Sequence, residues 1–117
     1  NAPQMQISDD TKSVDNKNAG NAGSLVGLIP VSHANTKPVG QWNDIEIHVK
    51  DRNVVHYQNG EILVKYQLDS PTLKALMKNS EFSDNSQNWE NVPVSGLIGL
   101  KDQGHAVWFR NIKLKPL

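Results

Sequence analysis

The sequence predicts an all-β domain, an antiparallel sandwich carrying one short helix. Three observations lead there. In "WNDIEIHVK", Ile45, Ile47 and Val49 alternate with Asp44, Glu46, His48 and Lys50, the period of a strand with one face covered. In "NVVHYQNGEILVKYQL", two β-rich runs flank Asn59-Gly60. Both central residues of a type I′ turn need positive φ, which Asn-Gly adopts at little cost, so this is a hairpin. Only "DSPTLKALMKNSEF" carries helical spacing.

The chain has 117 residues with 12 basic and 12 acidic side chains, which fits one domain over 1–117. Balanced charge gives no electrostatic reason to expect nucleic acid or an anionic membrane as partner. No apolar run approaches the roughly 20 residues of a membrane span, and no signal-peptide core is visible. The absence of cysteine excludes disulfides and thiolate metal sites.

The first 24 residues are polar, and only Met5 and Ile7 alternate, predicting a short strand over about 4–8 followed by a long loop. "SLVGLIPV" (24–31) reads as a strand or a tucked loop, and "HANTKPVG" (33–40) as a turn-rich connector. The strand at 45–50 and the hairpin follow. Ser70 can then cap free amides, Pro71 suits the first helical position, and Leu73, Leu76 and Met77 form one apolar stripe. "SDNSQNWENVPV" is a polar loop and "SGLIGL" a further strand, and the closing strand runs from about 106 to 115. Six or so strands make a thin core for two sheets.

In the closing "KDQGHAVWFRNIKLKPL", Val107 and Phe109 occupy odd positions, whereas Ile112 and Leu114 occupy even ones. A uniform strand could not bury all four. A β-bulge at Arg110–Asn111 would re-phase the strand and leave Trp108 and Arg110 on the other face. An indole offers a flat apolar face, and a guanidinium offers a fork of donors for hydroxyls or a developing oxyanion.

Three stretches, "GQWNDIEIHVKDRNVVHYQNGEILVKYQL", "SGLIGLKDQGHAVWFRNIKLKPL" and "MQISDD", resemble the 3-keto-disaccharide hydrolase family. The resemblance extends over nearly the whole chain and implies a concanavalin A-like lectin/glucanase jelly roll. It matches the C-terminal part of a longer family domain, so 1–117 is expected to be an incomplete sandwich. Cover for Ile45, Ile47, Val49 and Phe109 is expected from an N-terminal segment or a second copy of the chain. Gln4 and Ser13 stand where the family commonly has an acid and a histidine, and Gly27 and Gln103 where Asp and His are frequent.

Two functions of different class follow. One is hydrolysis or elimination of the glycosidic bond of 3-keto-glycosides, and the alternative is a non-catalytic carbohydrate-binding module on the same fold. For catalysis the candidates are His56 as base, Arg110 as oxyanion donor and Asp102 as an orienting carboxylate. Trp108, Tyr57, His105, Gln4 and Gln6 are candidate sugar contacts. His56 leaves the strand face that Val55 and Tyr57 occupy, and a lone strand histidine is commonly structural. A divalent metal ion is the one cofactor considered, with His56 and Asp9 as candidate ligands. Asp9, Asp10, Asp15, Asn16 and Asn18 make an oxygen-rich loop of the kind hard cations use, without EF-hand spacing. No organic cofactor is expected. The expected partner is a carbohydrate, and the expected location is periplasmic or extracellular in a bacterium.

Overall fold

The computed structural model describes residues 2–10, 20–80, 93 and 95–117. Ser13, Asp15, Asn16, Asn18 and most of the polar loop over 83–94 lie outside these residues.

The predicted central hairpins form. β1 (Ile45–Lys50), β2 (Asn53–Gln58) and β3 (Glu61–Gln67) make an antiparallel sheet in the order β1-β2-β3. Asn59 and Gly60 have φ of 52° and 82°, the positive pair a type I′ turn requires. The β1–β2 turn repeats this at Asp51 and Arg52, with φ of 49° and 63° and no glycine. Leu68 N–H donates to the Arg52 carbonyl at 3.0 Å, and the Arg52 guanidinium lies 3.2 Å from the Asp69 carboxylate, which holds this strained turn in place.

Register fixes the faces. Ile45 faces Gln58, Ile47 faces His56 and Val49 faces Val54, while His56 faces Val64 and Val54 faces Tyr66. Partners directly opposite share a face, so the apolar side of β1 continues into His56, Gln58 and Val64. A bulge does occur, but in β3: Ile62 pairs with Tyr57 and Val64 with His56, which leaves Leu63 as the extra residue. Both Leu63 and Val64 are thereby buried.

Segment 24–31 is the tucked loop, not a strand. Leu25 bridges both Met5 and Ile29, and Leu25, Leu28 and Val31 pack with Leu63, Val64 and Leu73 as the core. The expected strand at 4–8 reduces to that single bridge at Met5. α1 (Pro71–Lys78) starts as predicted, the Ser70 hydroxyl accepting from Leu73 N–H at 3.2 Å. Of its stripe only Leu73 is fully buried, while Met77 is half-buried and Leu76 exposed.

The remaining strand predictions differ from the structure. "SGLIGL" and 106–115 pair with nothing as strands among the described residues, so the sheet there has three strands where six or so were expected. Asn111 nevertheless takes φ of 54°, a left-handed kink at the point where the apolar rhythm slips. Ile47 and Val49, whose cover is expected partly from outside this chain, are 51% and 54% exposed. β1 is an edge strand, and the loop over 21–31 packs against the β2–β3 side.

Candidate functional site

The Asn59-Gly60 turn builds the frame of the site. Its left-handed backbone aims the Asn59 side chain back at the connector before β1. Asn59 Nδ2 donates to the Asn35 carbonyl at 2.8 Å and to Asn43 Oδ1 at 2.9 Å, and its Oδ1 accepts from Asp44 N–H at 3.0 Å. Asn43 Oδ1 also accepts from Lys37 N–H, and Lys37 Nζ donates to the Trp42 carbonyl at 3.1 Å. The turn thus fastens the segment that carries Trp42. The Arg110 guanidinium lies over the Trp42 ring, 4.1 Å from its centroid, within cation–π range.

Behind the same turn runs a polar network that joins three distant segments. Gln58 Nε2, on a buried side chain, donates to Asn35 Oδ1 and Thr36 Oγ1. Thr36 Oγ1 donates in turn to Asp10 Oδ2 at 2.6 Å, and Asp10 Oδ1 accepts from Ala22 N–H at 2.8 Å. Asn35 Nδ2 donates to Glu61, whose carboxylate lies 3.1 Å from His33 Nε2. Donation from Asn35, and then from His33, holds the Glu61 carboxyl below its ordinary value.

His56 is 1% exposed. A carbonyl only accepts, so its 2.8 Å contact with Gly23 O places a proton on Nδ1. Nε2 then accepts from the Tyr66 hydroxyl at 3.3 Å, and the two rings meet edge to face. Burial pushes the His56 pKa below its ordinary value, opposed by the Gly23 bond, and burial pushes the Tyr66 phenol up. Both ring nitrogens are engaged inside the fold, so no lone pair of His56 faces solvent.

The other candidates are dispersed. Tyr57 lies on the opposite sheet face, its ring 4.5 Å from that of His48, which meets Glu46 at 2.8 Å. Trp108 is 76% exposed. Asp102 accepts from Gly104 N–H at 2.7 Å in an exposed turn that also carries His105. Gln6 and Gln103 exchange amide hydrogen bonds of 3.2 and 3.3 Å across the length of the chain. Gln4 contributes its backbone carbonyl to Val26 N–H, and Asp9 is exposed. His56 therefore sits with Gly23 and Tyr66, whereas Arg110 sits with Trp42.

Among the described residues no three His, Asp or Glu side chains converge on a metal position. His56, donating at one nitrogen and accepting at the other, does not fit as a ligand in this arrangement. Sequence reasoning missed Trp42, Tyr66 and the Asp10–Thr36–Gln58 chain. Trp42 stood inside the motif "GQWND", but no local pattern ties it to a residue 68 positions later.

Comparison with known proteins agrees on kinship. A curated 3-keto-disaccharide hydrolase of Bacteroides thetaiotaomicron is 35% identical over 99% of this chain. The chain spans 44% of that relative's length. The crystal structure of a proposed glycosyl hydrolase from Parabacteroides distasonis superposes with a TM-score of 0.63 at 22% identity, over 73% of this chain and 42% of the other, a likeness of fold. Residues 1–115 match the family described as 3-keto-alpha-glucoside-1,2-lyase-like domain, and the chain belongs to that family.

Proposed function

We propose that this chain forms part of a carbohydrate-active enzyme, a concanavalin A-like jelly roll that cleaves the C1 glycosidic bond of 3-keto-glycosides. A ketone at C3 acidifies the C2 hydrogen. A base takes that proton, and the C–H electron pair becomes the C2=C3 bond of an enolate. When the C3 carbonyl re-forms, the pair moves to C1=C2 and expels the C1 oxygen, which takes a proton from solvent as it leaves. Addition of water to the resulting enone completes a net hydrolysis. The protein must supply a base, a donor for the enolate oxygen and a platform for the sugar.

The observation that carries this reading is the Arg110 guanidinium held over the Trp42 indole. Arg110 forms no ion pair among the described residues, which leaves its N–H groups for an oxyanion. Trp108, two residues earlier and widely exposed, offers the sugar a stacking surface. The C2 proton goes to His105, exposed on the turn that Asp102 closes, because the lone pair of His56 is already taken by Tyr66. His56 holds the Gly23 carbonyl and Tyr66 in place. The family and the printed name of the Bacteroides relative support the substrate class.

The test is incubation of the full-length protein with a 3-keto-disaccharide and with the same disaccharide unoxidised, each with and without chelator. Release of monosaccharide from the keto sugar alone is expected, and His105→Gln should reduce it by about 100-fold or more. Release only without chelator would assign a divalent metal to the site. Binding of the keto sugar without release would instead establish a carbohydrate-binding module, a reading that the neutral Gln6–Gln103 pair favours.

A further inference from the structure

Trp42 belongs to no predicted site, yet it is the one described aromatic ring with a cation stacked on it. We propose that Trp42 is a positioning residue for Arg110, fixing the plane of the guanidinium and thus the direction in which its donors point. The inference rests on the role given to Arg110 in the proposed function.

Three features support it. Segment 95–117 is exposed and pairs with no strand among the described residues, so backbone hydrogen bonding does not orient Arg110. Arg110 forms no ion pair among the described residues, and Asp44, the acid nearest Trp42 in sequence, forms none either. Among the described residues, the ring contact at 4.1 Å is therefore the tether of this guanidinium. Trp42 is itself fixed from behind: Asn43 accepts from Lys37 N–H and Asn59 Nδ2, and the Trp42 carbonyl accepts from Lys37 Nζ. The hairpin turn, the connector and the indole form a rigid chain ending at a flexible arginine. An arginine held by an indole face keeps its fork available, whereas one held by a carboxylate would have its donors consumed. A mispointed donor loses transition-state stabilisation while leaving ground-state binding largely intact.

The test uses the full-length protein with Trp42→Leu and Trp42→Phe, read in two ways. With a 3-keto-disaccharide, Trp42→Leu should lower kcat about tenfold with KM changed less than about twofold, and Trp42→Phe should recover part of the loss because a phenyl face still attracts the cation. In 15N-resolved NMR, the Arg110 Nε–H signal, shifted upfield by the indole ring current, should move downfield in Trp42→Leu. An unmoved Arg110 signal would overturn the proposal. A raised KM at unchanged kcat would overturn it as well, since the indole would then be contacting sugar directly. Failure of the unaltered protein to cleave the keto sugar would sink the function proposed above, and the NMR signal would still decide whether Trp42 holds Arg110.

Discussion

Two glycines with similar backbone angles separate what a residue's neighbourhood adds to its conformation. Gly60 has φ of 82° and open space where a Cβ would stand, so Gly60→Ala should cost only the left-handed penalty, about 1–2 kcal/mol. A β-branched residue there should cost more. Gly23 has φ of 92°, and a Cβ would lie 2.5 Å from Leu63 Cδ1. Gly23→Ala should thus add overpacking to strain, about 2–4 kcal/mol together, and disturb the carbonyl that His56 grips. Urea denaturation of the two variants checks the ranking, and equal losses would mean that Leu63 simply moves aside. The sequence announced Gly60 through its Asn-Gly context. It could not announce Gly23, whose constraint comes from a side chain 40 positions away. His56 makes a pH prediction of its own. Its folded pKa lies below its ordinary 6.5, so the unfolded chain binds the extra proton. Its contribution is fully present above about pH 6.5 and is lost as pH falls through and below that value. Between pH 7 and 5.5 the thermal midpoint should fall less in His56→Gln than in the unaltered protein, and parallel profiles would contradict the assignment.

Among the elements, the two hairpins differ in legibility for a clear reason. The β2–β3 turn uses residues that tolerate positive φ, so the sequence states it. The β1–β2 turn places Asp51 and Arg52 in the same region without glycine, and tertiary contacts to Leu68 and Asp69 sustain it. Replacing Asp51-Arg52 with Asn-Gly should remove about 1–2 kcal/mol of strain and forfeit an ion pair between half-exposed side chains worth at most about 1 kcal/mol. A modest rise in the thermal midpoint is expected, and a fall would show that Arg52–Asp69 matters more than the backbone. The helix was legible at its start, because Ser70 and Pro71 act locally. Its stripe was less so, since which of Leu73, Leu76 and Met77 is buried depends on where loop 21–31 folds. Leu73→Ala should cost about 2–5 kcal/mol and Leu76→Ala far less, measurable by the same denaturation. The phase slip near the C-terminus was read from the sequence and coincides with the left-handed Asn111, but the strand expected around it needs a partner that the described residues do not supply.

For the whole molecule, the sheet presents Ile45, Ile47 and Val49 on an edge strand whose outer side pairs with no strand among the described residues, and Leu97, Ile98, Ile112 and Leu114 are exposed as well. Such surfaces associate. Light scattering on the isolated 117-residue polypeptide should therefore show species larger than a monomer, and a monodisperse, cooperatively melting monomer would contradict that expectation. The all-β character of the centre followed from local alternation and turn chemistry, whereas the strand count did not, because pairing partners are a property of the whole domain. Site residues divided in the same way. Arg110 and Trp108 are proposed from their motif, but only the folded chain shows that His56 is enclosed and that Trp42 meets Arg110. The central claim is cleavage through loss of the C2 proton, and the most direct measurement is the rate of glycosidic cleavage of a 3-keto-disaccharide carrying deuterium at C2. A primary isotope effect, with solvent hydrogen recovered at C2 of the hydrated product, is the predicted result. Cleavage at the same rate for the C2-protonated and C2-deuterated sugars, with the label retained, would contradict it.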